Sequence, residues 1–324
     1  MPWPEGQPTV QACLQQAQAL GVARLDAALL LGEAVKQSRT WLLAHGEYVL
    51  TPEQVSLFRG WLQQRAQGVP LAYCLGRREF HGLMLKVTPD VLDPRPDTET
   101  LVDWALEVWP KDSLGSLGSS DRLDSPGQPD PSAPLGRLDR SDRSDRSHRL
   151  APGPASASQP PRVLDLGTGS GAIALALKAA HPHAQVHACD ASVAALSVAQ
   201  ANADALGLPL ALHAGHWWSA VSGLQFDLAV ANPPYIREDD PHLAGLIHEP
   251  RTALVAAQEG LADLRAIIEG APAHLVPGAW LLLEHGHDQA TAVAQALAGA
   301  GFADIGHRCD LAGHTRCTGG RLPG

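Results

Sequence analysis

The sequence predicts an α/β protein, a doubly wound parallel sheet preceded by a small all-helical N-terminal domain. Three observations predict it. From Arg162 onward, short apolar runs that suit buried strands alternate with helical stretches, the pattern of a parallel sheet covered on both faces. Before about Gly68 the apolar spacing is helical only. The chain has 324 residues, more than the roughly 250–300 at which one core usually stops growing, so a domain boundary is expected.

In the N-terminal region, Val10, Cys13, Leu14 and Ala17 share one helical face, and Leu25, Ala28, Leu29 and Val35 share the next. Thr51-Pro52-Glu53-Gln54 reads as a helix start, with Thr51 as cap, Pro52 in the first turn and Gln54 returning the capping bond. Val55, Phe58, Trp61 and Leu62 supply the inward side of that helix. Residues 1–72 are therefore read as a small helical domain, suited either to packing against the rest of the chain or to gripping a protein substrate. Alternating Phe80, Leu83, Leu85 and Val87, broken by Gly82 and Pro89, predict a hairpin linker over 73–95. The second domain is read as 96–324, with Pro96-Asp97 stopping the linker and Asp97 capping a helix over Leu101–Trp109.

Lys111 to Pro161 is dominated by Gly, Ser, Pro, Asp and Arg, including an Arg-Ser-Asp repeat. Such a segment buries too little apolar surface to offset its ordering entropy, so an unstructured insertion over about 111–161 is expected. Its Asp residues largely neutralise its Arg residues, which argues against a nucleic-acid tail. Strands are predicted at Arg162–Leu166, Gln185–Cys189, Phe226–Ala231 and Ala279–Glu284, and helices at Ala172–Ala180 and Val193–Leu206.

A formal net charge of −10 opposes general attraction to phosphate backbones, so a protein partner is expected ahead of nucleic acid. No apolar run approaches the roughly 20 residues of a membrane span, and no basic, apolar leader opens the chain; a cytoplasmic protein without membrane contact is expected. Five scattered cysteines without CxxC spacing argue against disulfides and against a zinc site, so no metal is expected.

Val163-Leu164-Asp165-Leu166 runs directly into Gly167-Thr168-Gly169-Ser170-Gly171 and a helix, which turns backbone N–H groups toward a ligand above the strand end. Asp190 closes the next strand, where a carboxylate can accept from both hydroxyls of a ribose. NAD and S-adenosylmethionine both satisfy that geometry. The loop lacks GxGxxG spacing, which favours the cofactor without a pyrophosphate. Asp165, Gly167, Thr168, Gly169, Ser170, Gly171 and Asp190 are the candidate cofactor residues. Asp165 beneath the loop also suits a capping role, and Trp217 or Trp218 beyond the third strand region suits either an adenine contact or core packing.

Asn232-Pro233-Pro234-Tyr235 ends a later strand, where open parallel sheets bind ligands. The prolines stiffen the turn and remove backbone donors. The Asn232 side-chain oxygen and the Pro233 carbonyl are then free to accept both hydrogens of a planar nitrogen, amide or amine. Asn232, Pro233 and Tyr235 are the candidate catalytic residues and, with Pro234, the substrate-binding residues. An exocyclic amine of a nucleic-acid base presents the same planar nitrogen and stays open at this point.

These motifs, with Gly76-Arg77-Arg78-Glu79-Phe80, Pro94-Arg95-Pro96-Asp97-Thr98-Glu99 and Leu282-Leu283-Glu284-His285-Gly286, make the chain resemble the bacterial release factor glutamine methyltransferases of the HemK or PrmC family almost end to end. The resemblance implies a Rossmann-like methyltransferase sheet, S-adenosyl-L-methionine as cofactor, and methylation of the glutamine in the Gly-Gly-Gln motif of class 1 peptide chain release factors. It implies that Gly167 to Gly171, Asp190, Trp217 and Asn232 contact the cofactor, that Asn232 to Tyr235 hold the glutamine, and that the helical domain contacts the release factor. Related enzymes acting on a ribosomal protein share the tetrapeptide. Departures from the family pattern are His216 where an acidic residue is usual, Asp93 in place of an apolar residue, a shortened Leu243–Pro250 stretch, and the insertion.

Overall fold

The computed structural model describes residues 8–109 and 160–324. The insertion expected at about 111–161 falls, but for its last two residues, outside the described residues. Five helices come first: α1 (Val10–Ala19), α2 (Arg24–Val35), α3 (Arg39–Ala44), α4 (Pro52–Ala66) and α5 (Leu71–Leu75). Their start signals are local. The Thr51–Gln54 capping box is complete, Gln54 N–H donating to Thr51 Oγ1 at 3.3 Å and Thr51 N–H to Gln54 Oε1 at 2.9 Å. Val10, Cys13, Ala17, Leu30, Leu31, Phe58 and Leu62 are buried together as the core of this region.

One expected face is corrected here. α2 buries Ala27, Leu30, Leu31, Ala34 and Val35, whereas Leu25 and Leu29 are exposed. The run Leu-Asp-Ala-Ala-Leu-Leu-Leu is apolar around most of the helix, so spacing alone does not select the inward side.

An antiparallel hairpin follows, β1 (Arg77–Phe80) paired with β2 (Leu83–Lys86). A 3-10 turn over Pro96–Thr98 then leads into α6 (Glu99–Glu107). Asp97 does not cap α6 as the sequence suggested; its carboxylate lies 3.8 Å from Arg316. Thr98 precedes α6 in helical conformation, φ −66° and ψ −21°, as the 3-10 turn runs into the helix, so its hydroxyl makes no capping bond and instead accepts from Asn232.

The rest is a seven-stranded sheet: β3 (Arg162–Leu166), β4 (Gln185–Asp190), β5 (Ala211–Ala214), β6 (Phe226–Ala231), β7 (Leu275–Glu284), β8 (Ala303–Cys309) and β9 (Thr315–Arg321), in the order β5-β4-β3-β6-β7-β9-β8. The first five are parallel, and β9 runs antiparallel to both β7 and β8. Helices α7 (Ala172–Ala180), α8 (Val193–Leu206), α9 (Ala257–Gly260), α10 (Ala262–Gly270) and α11 (Ala290–Gly299) complete the fold. Strand alternation produces two cores. Leu164, Leu166, Ala229, Ala231, Leu281 and Leu283 pack against Leu264, Ile267 and Leu297 on one face. Val163, Leu228, Val230 and Leu282 pack against Leu101, Trp104, Leu175 and Leu177 on the other. Among the described residues no helix is long and apolar enough to cross a membrane. No cysteine is paired, and four of the five are buried.

Candidate active site

The chain winds outward from β3 through β4 to β5, then returns to place β6 on the other side of β3. The carboxyl ends of β3 and β6 therefore flank the switch point, where such sheets bind ligands. A cleft of about 600 Å³ opens there, walled by Gly167, Gly169, Asp190, Trp217, Asn232 and Pro234 among others. That volume lies within the range of small-molecule sites, about 300–1,000 Å³.

The glycine loop earns its shape from backbone conformation. Gly167, Gly169 and Gly171 have φ of 75°, 55° and 84°, a region costly for residues with a Cβ. Gly167 and Thr168 N–H groups each donate to the Cys189 carbonyl at 2.9 Å, and Gly169 N–H donates to Asp190 Oδ2 at 2.9 Å. Asp190 Oδ1 accepts from Ser192 N–H at 2.8 Å, so the carboxylate is fixed at the cleft wall from both sides. A Cβ on Gly167 would stand 3.1 Å from the Trp217 ring, so the ring and the loop backbone are in close approach. Trp217 itself has φ 46°, a strained conformation for a tryptophan, and its Nε1–H donates to Asp263 Oδ1 at 3.2 Å.

Asp165, for which the sequence leaves open a ligand or a capping role, lies beneath the loop. It is fully buried, its Oδ2 accepts from the Thr168 hydroxyl at 2.6 Å and from Ala174 N–H at 3.2 Å, and it does not reach the cleft wall. Burial pushes its carboxyl up to about 7, opposed by those two hydrogen bonds. Thr168, Ser170 and Gly171 likewise lie off the wall. The Thr168 hydroxyl is spent on Asp165, and the Ser170 carbonyl accepts from Asn202 Nδ2 at 2.8 Å. The two tryptophans part ways: Trp217 faces the cleft, while Trp218 is buried with Nε1–H donating to the Ile267 carbonyl at 2.8 Å.

Beside the cleft lies a smaller pocket of about 90 Å³, walled by Asn232, Pro233, Tyr235, Arg95, Glu284 and Leu246 among others. Leu92, Asn232 and Ala253 belong to both walls, and of these only Asn232 has a polar side chain. Asn232 Nδ2 donates to Thr98 Oγ1 at 3.1 Å, and the Tyr235 hydroxyl donates to Glu284 Oε1 at 3.2 Å. Glu284 is buried, and its Oε2 has no partner among the described residues. Burial raises its carboxyl to about 7, opposed by the hydroxyls of Thr98 and Tyr235 and the charge of Arg316. Burial and the Glu284 charge together push the Tyr235 hydroxyl well above the usual tyrosine range. Thr98 and Glu284 were not selected as site residues from the sequence, although both sit in motifs it displays. Their signal was a buried polar residue at a strand end and an unused cap, neither visible before folding.

Residues 237–254 form a strap over this pocket, closed at its base where Ile236 N–H donates to the Leu254 carbonyl and Ala256 N–H to the Ile236 carbonyl. The buried Glu249 holds Arg95 at 2.5 Å, and His248 Nε2 meets the Gln67 carbonyl beyond α4 at 3.0 Å. Asp93, the residue out of pattern in the sequence, is buried beside Arg78 and Arg95 at 3.6 and 3.9 Å. Gln289 Nε2 donates to the Tyr235 carbonyl at 3.0 Å, which fixes the tetrapeptide from behind.

A β5-β4-β3-β6-β7 parallel order with its ligand cleft at the β3/β6 switch is the sheet of a Rossmann-like methyltransferase, and residues 154–291 match the family described as Methyltransferase small domain. Residues 9–76 match the PrmC N-terminal domain. Release factor glutamine methyltransferases from Bordetella pertussis and Burkholderia pseudomallei are 41% and 39% identical, covering 93% of this chain in both cases and 96% and 92% of their own lengths. The enzyme of that name from Escherichia coli is 39% identical over 98% of this chain and 99% of its own. The chain belongs to the release factor glutamine methyltransferase family. A solved ribosomal protein L11 methylase from Lactobacillus delbrueckii subsp. bulgaricus shares 23% identity over 52% of this chain and 73% of that one, with a TM-score of 0.38, too distant to add to the assignment.

Proposed function

We propose that this protein transfers a methyl group from S-adenosylmethionine to the side-chain amide nitrogen of the glutamine in the Gly-Gly-Gln motif of class 1 release factors. The observation that carries this reading is Asn232, which stands on the wall of both the large cleft and the small pocket. One side chain thus serves as the meeting point of cofactor and acceptor.

The residues of the cleft fit the cofactor. Each Asp190 oxygen takes one backbone hydrogen bond and retains lone-pair capacity for a ribose hydroxyl. The Trp217 ring offers an apolar face to adenine. Asp263, tied to Trp217 through one oxygen, stands on the same wall as His216 and supplies the acidic acceptor for the adenine amine that His216 does not. When bound, S-adenosylmethionine supplies a methyl group already activated by its sulfonium.

An amide nitrogen is a weak nucleophile because its lone pair is delocalised, so this chain's contribution is orientation and electrostatics. With Nδ2 committed to Thr98, Asn232 presents Oδ1 to the acceptor, and the Pro233 carbonyl serves as second acceptor. As the nitrogen gains positive character, its hydrogens bond more strongly to both oxygens, which stabilises the transition state more than the ground state. A pocket of about 90 Å³ has room for the three heavy atoms of a carboxamide, about 30 Å³ being the share of one water. For the partner, a groove of about 750 Å³ is lined by residues of α2 and the hairpin, with Leu29, Leu75 and Met84 as its larger apolar side chains and Pro96 and Glu99 also on its wall. We assign that helical side to gripping the release factor.

The test is transfer of labelled methyl from S-adenosylmethionine to purified release factor, ribosomal protein and nucleic acid in parallel, with the modified residue mapped by mass spectrometry. Label on the Gly-Gly-Gln glutamine is expected. Label confined to nucleic acid or to ribosomal protein would overturn the assignment.

A further inference from the structure

One buried carboxamide gathers three loops behind the site. Gln289 Oε1 accepts from Gly286 N–H at 2.8 Å, and its Nε2 donates to the Tyr235 carbonyl at 3.0 Å and to the Glu259 carbonyl at 3.2 Å. A backbone N–H cannot accept and a carbonyl cannot donate, so the amide has one orientation, with its oxygen and both N–H donors engaged. The partners belong to three segments: Gly286 follows β7, Tyr235 closes the tetrapeptide after β6, and Glu259 lies in the turn that leads into α10.

That turn is strained. Gln258, Glu259 and Gly260 are left-handed in succession, with φ of 54°, 60° and 81°, a costly conformation for the two that carry a Cβ. Such strain persists only where the surroundings impose it. Here a Cβ on Gly260 would collide with the Tyr235 carbonyl oxygen and stand 2.7 Å from Gln289 Nε2, so the turn is pressed against the tetrapeptide backbone at the point where Gln289 holds both. Three residues beyond Gly260, Asp263 accepts from Trp217 Nε1–H at 3.2 Å on the wall of the cleft. Tyr235 stands on the wall of the acceptor pocket, and Gln289 itself is on neither wall.

We propose that Gln289 is a positioning residue that ties the acceptor loop to the cofactor wall. By gripping the Tyr235 carbonyl and the Gln258–Gly260 turn together, it sets the acceptor amide in line with the methyl group. The inference rests on the function proposed above, with Asn232 to Tyr235 on the acceptor side and Trp217 and Asp263 on the cofactor side. Each side keeps contacts of its own without Gln289: Asn232 its bond to Thr98, and Asp190 its bonds to Gly169 and Ser192. Losing the grip therefore disturbs the alignment of two bound partners more than the binding of either, and alignment is read in kcat rather than in KM or cofactor affinity.

The experiment measures kcat and KM for release factor methylation, cofactor affinity by calorimetry and melting temperature in wild type, Gln289→Met, Gln289→Glu and Gly260→Ala. Gln289→Met keeps the length of the side chain and removes its three hydrogen bonds. Well below its melting temperature, its kcat is expected to fall about 30-fold, with KM and cofactor affinity within about threefold of wild type. Gly260→Ala drives a Cβ into the same junction and gives the same split. Gln289→Glu supplies a control within one folded protein. Its ionised carboxylate still accepts from Gly286 but sets lone pairs against two carbonyls, whereas its protonated form donates to one of them. The ratio of its kcat to that of wild type should rise at least about fivefold from about pH 8.5 to about pH 6. Taking the ratio cancels the titration of groups both proteins share, among them Glu284, His285 and Asp288 in the same segment. A folded Gln289→Met protein with kcat within about threefold of wild type would mean that Gln289 only fills space, and the positioning role fails. It fails equally if the Gln289→Glu ratio is flat with pH, or if the loss sits in KM or cofactor affinity in place of kcat. Wild type that leaves the release factor unlabelled would instead defeat the function proposed above, which keeps the two failures apart.

Discussion

The loops after β3 and β6 each rest on a buried carboxylate, and the two carboxylates do different work. Asp165 and Glu284 are both buried, both carry one oxygen without a partner, and both are pushed up to about 7 by loss of solvent. Asp165 binds Thr168 and Ala174, atoms of its own loop and the following helix, and faces no cavity. Glu284 accepts from the Tyr235 hydroxyl, in the loop after another strand, and stands on a pocket wall. The same desolvation therefore marks a local support in one place and a link between elements in the other. A raised carboxyl alone is no guide to function; the reach of its partners is.

The comparison breaks most easily at Asn232. Asn232→Ala removes the polar side chain shared by cleft and pocket while leaving the glycine loop intact, so turnover should fall about 10²–10³-fold and cofactor binding by far less. Single-turnover methylation read beside calorimetric cofactor binding separates the two. Turnover within tenfold of wild type would show that the β6 loop does not hold the acceptor.

The β3 loop should fail in the opposite sense. Gly167→Ala introduces a Cβ at φ 75°, at a cost of about 1–2 kcal/mol, and presses it to 3.1 Å from the Trp217 ring. Cofactor affinity is expected to drop about tenfold, with kcat at saturating cofactor changed much less. A fall in kcat without a fall in affinity would dissolve the division of labour between the loops.

Asp165→Asn tests the support role through stability. With the folded carboxyl at about 7 and its ordinary value at 3.8, the contribution of Asp165 is fully present below about pH 3.8 and is lost as pH rises through about 7. Asparagine can accept from Thr168 and Ala174 without titrating. Between pH 5 and 8 the wild-type melting temperature should therefore fall by at least about 2 °C more than the variant's, the size of shift that ~1 kcal/mol gives a chain of this length. Parallel melting curves would show that Asp165 is already ionised in the folded protein.

The glycine loop, Asp190 and the tetrapeptide were legible in the sequence because each is a local run attached to a strand, and the sheet's period announces where strands end. What stayed hidden depends on long-range register. Thr98 and Asn232 are 134 residues apart, and Tyr235 and Glu284 are 49. The inward side of α2 was misread because its apolar residues surround the helix. Asp165, Thr168, Ser170 and Gly171 lie off the cleft wall, since a tight loop has an inside as well as a mouth, and the sequence does not say which side chains turn inward.

His216 offers the smallest effect and the finest division. It lines the cleft edge-on to Trp217, with ring centroids 5.0 Å apart, and Asp263 on the same wall already accepts from Trp217. If Asp263 receives the adenine amine, as proposed, His216→Asp adds a second carboxylate where one acceptor suffices. Cofactor affinity should then change by less than about threefold, below the 1.4 kcal/mol that a tenfold change represents. Asp263→Asn should weaken binding more, by roughly tenfold, since it replaces one acceptor oxygen with a donor. Calorimetry on both variants checks the order. A His216→Asp protein that binds tenfold tighter would place the adenine acceptor at 216 and return Asp263 to holding Trp217, making the cofactor half of the site depend on a single strained residue.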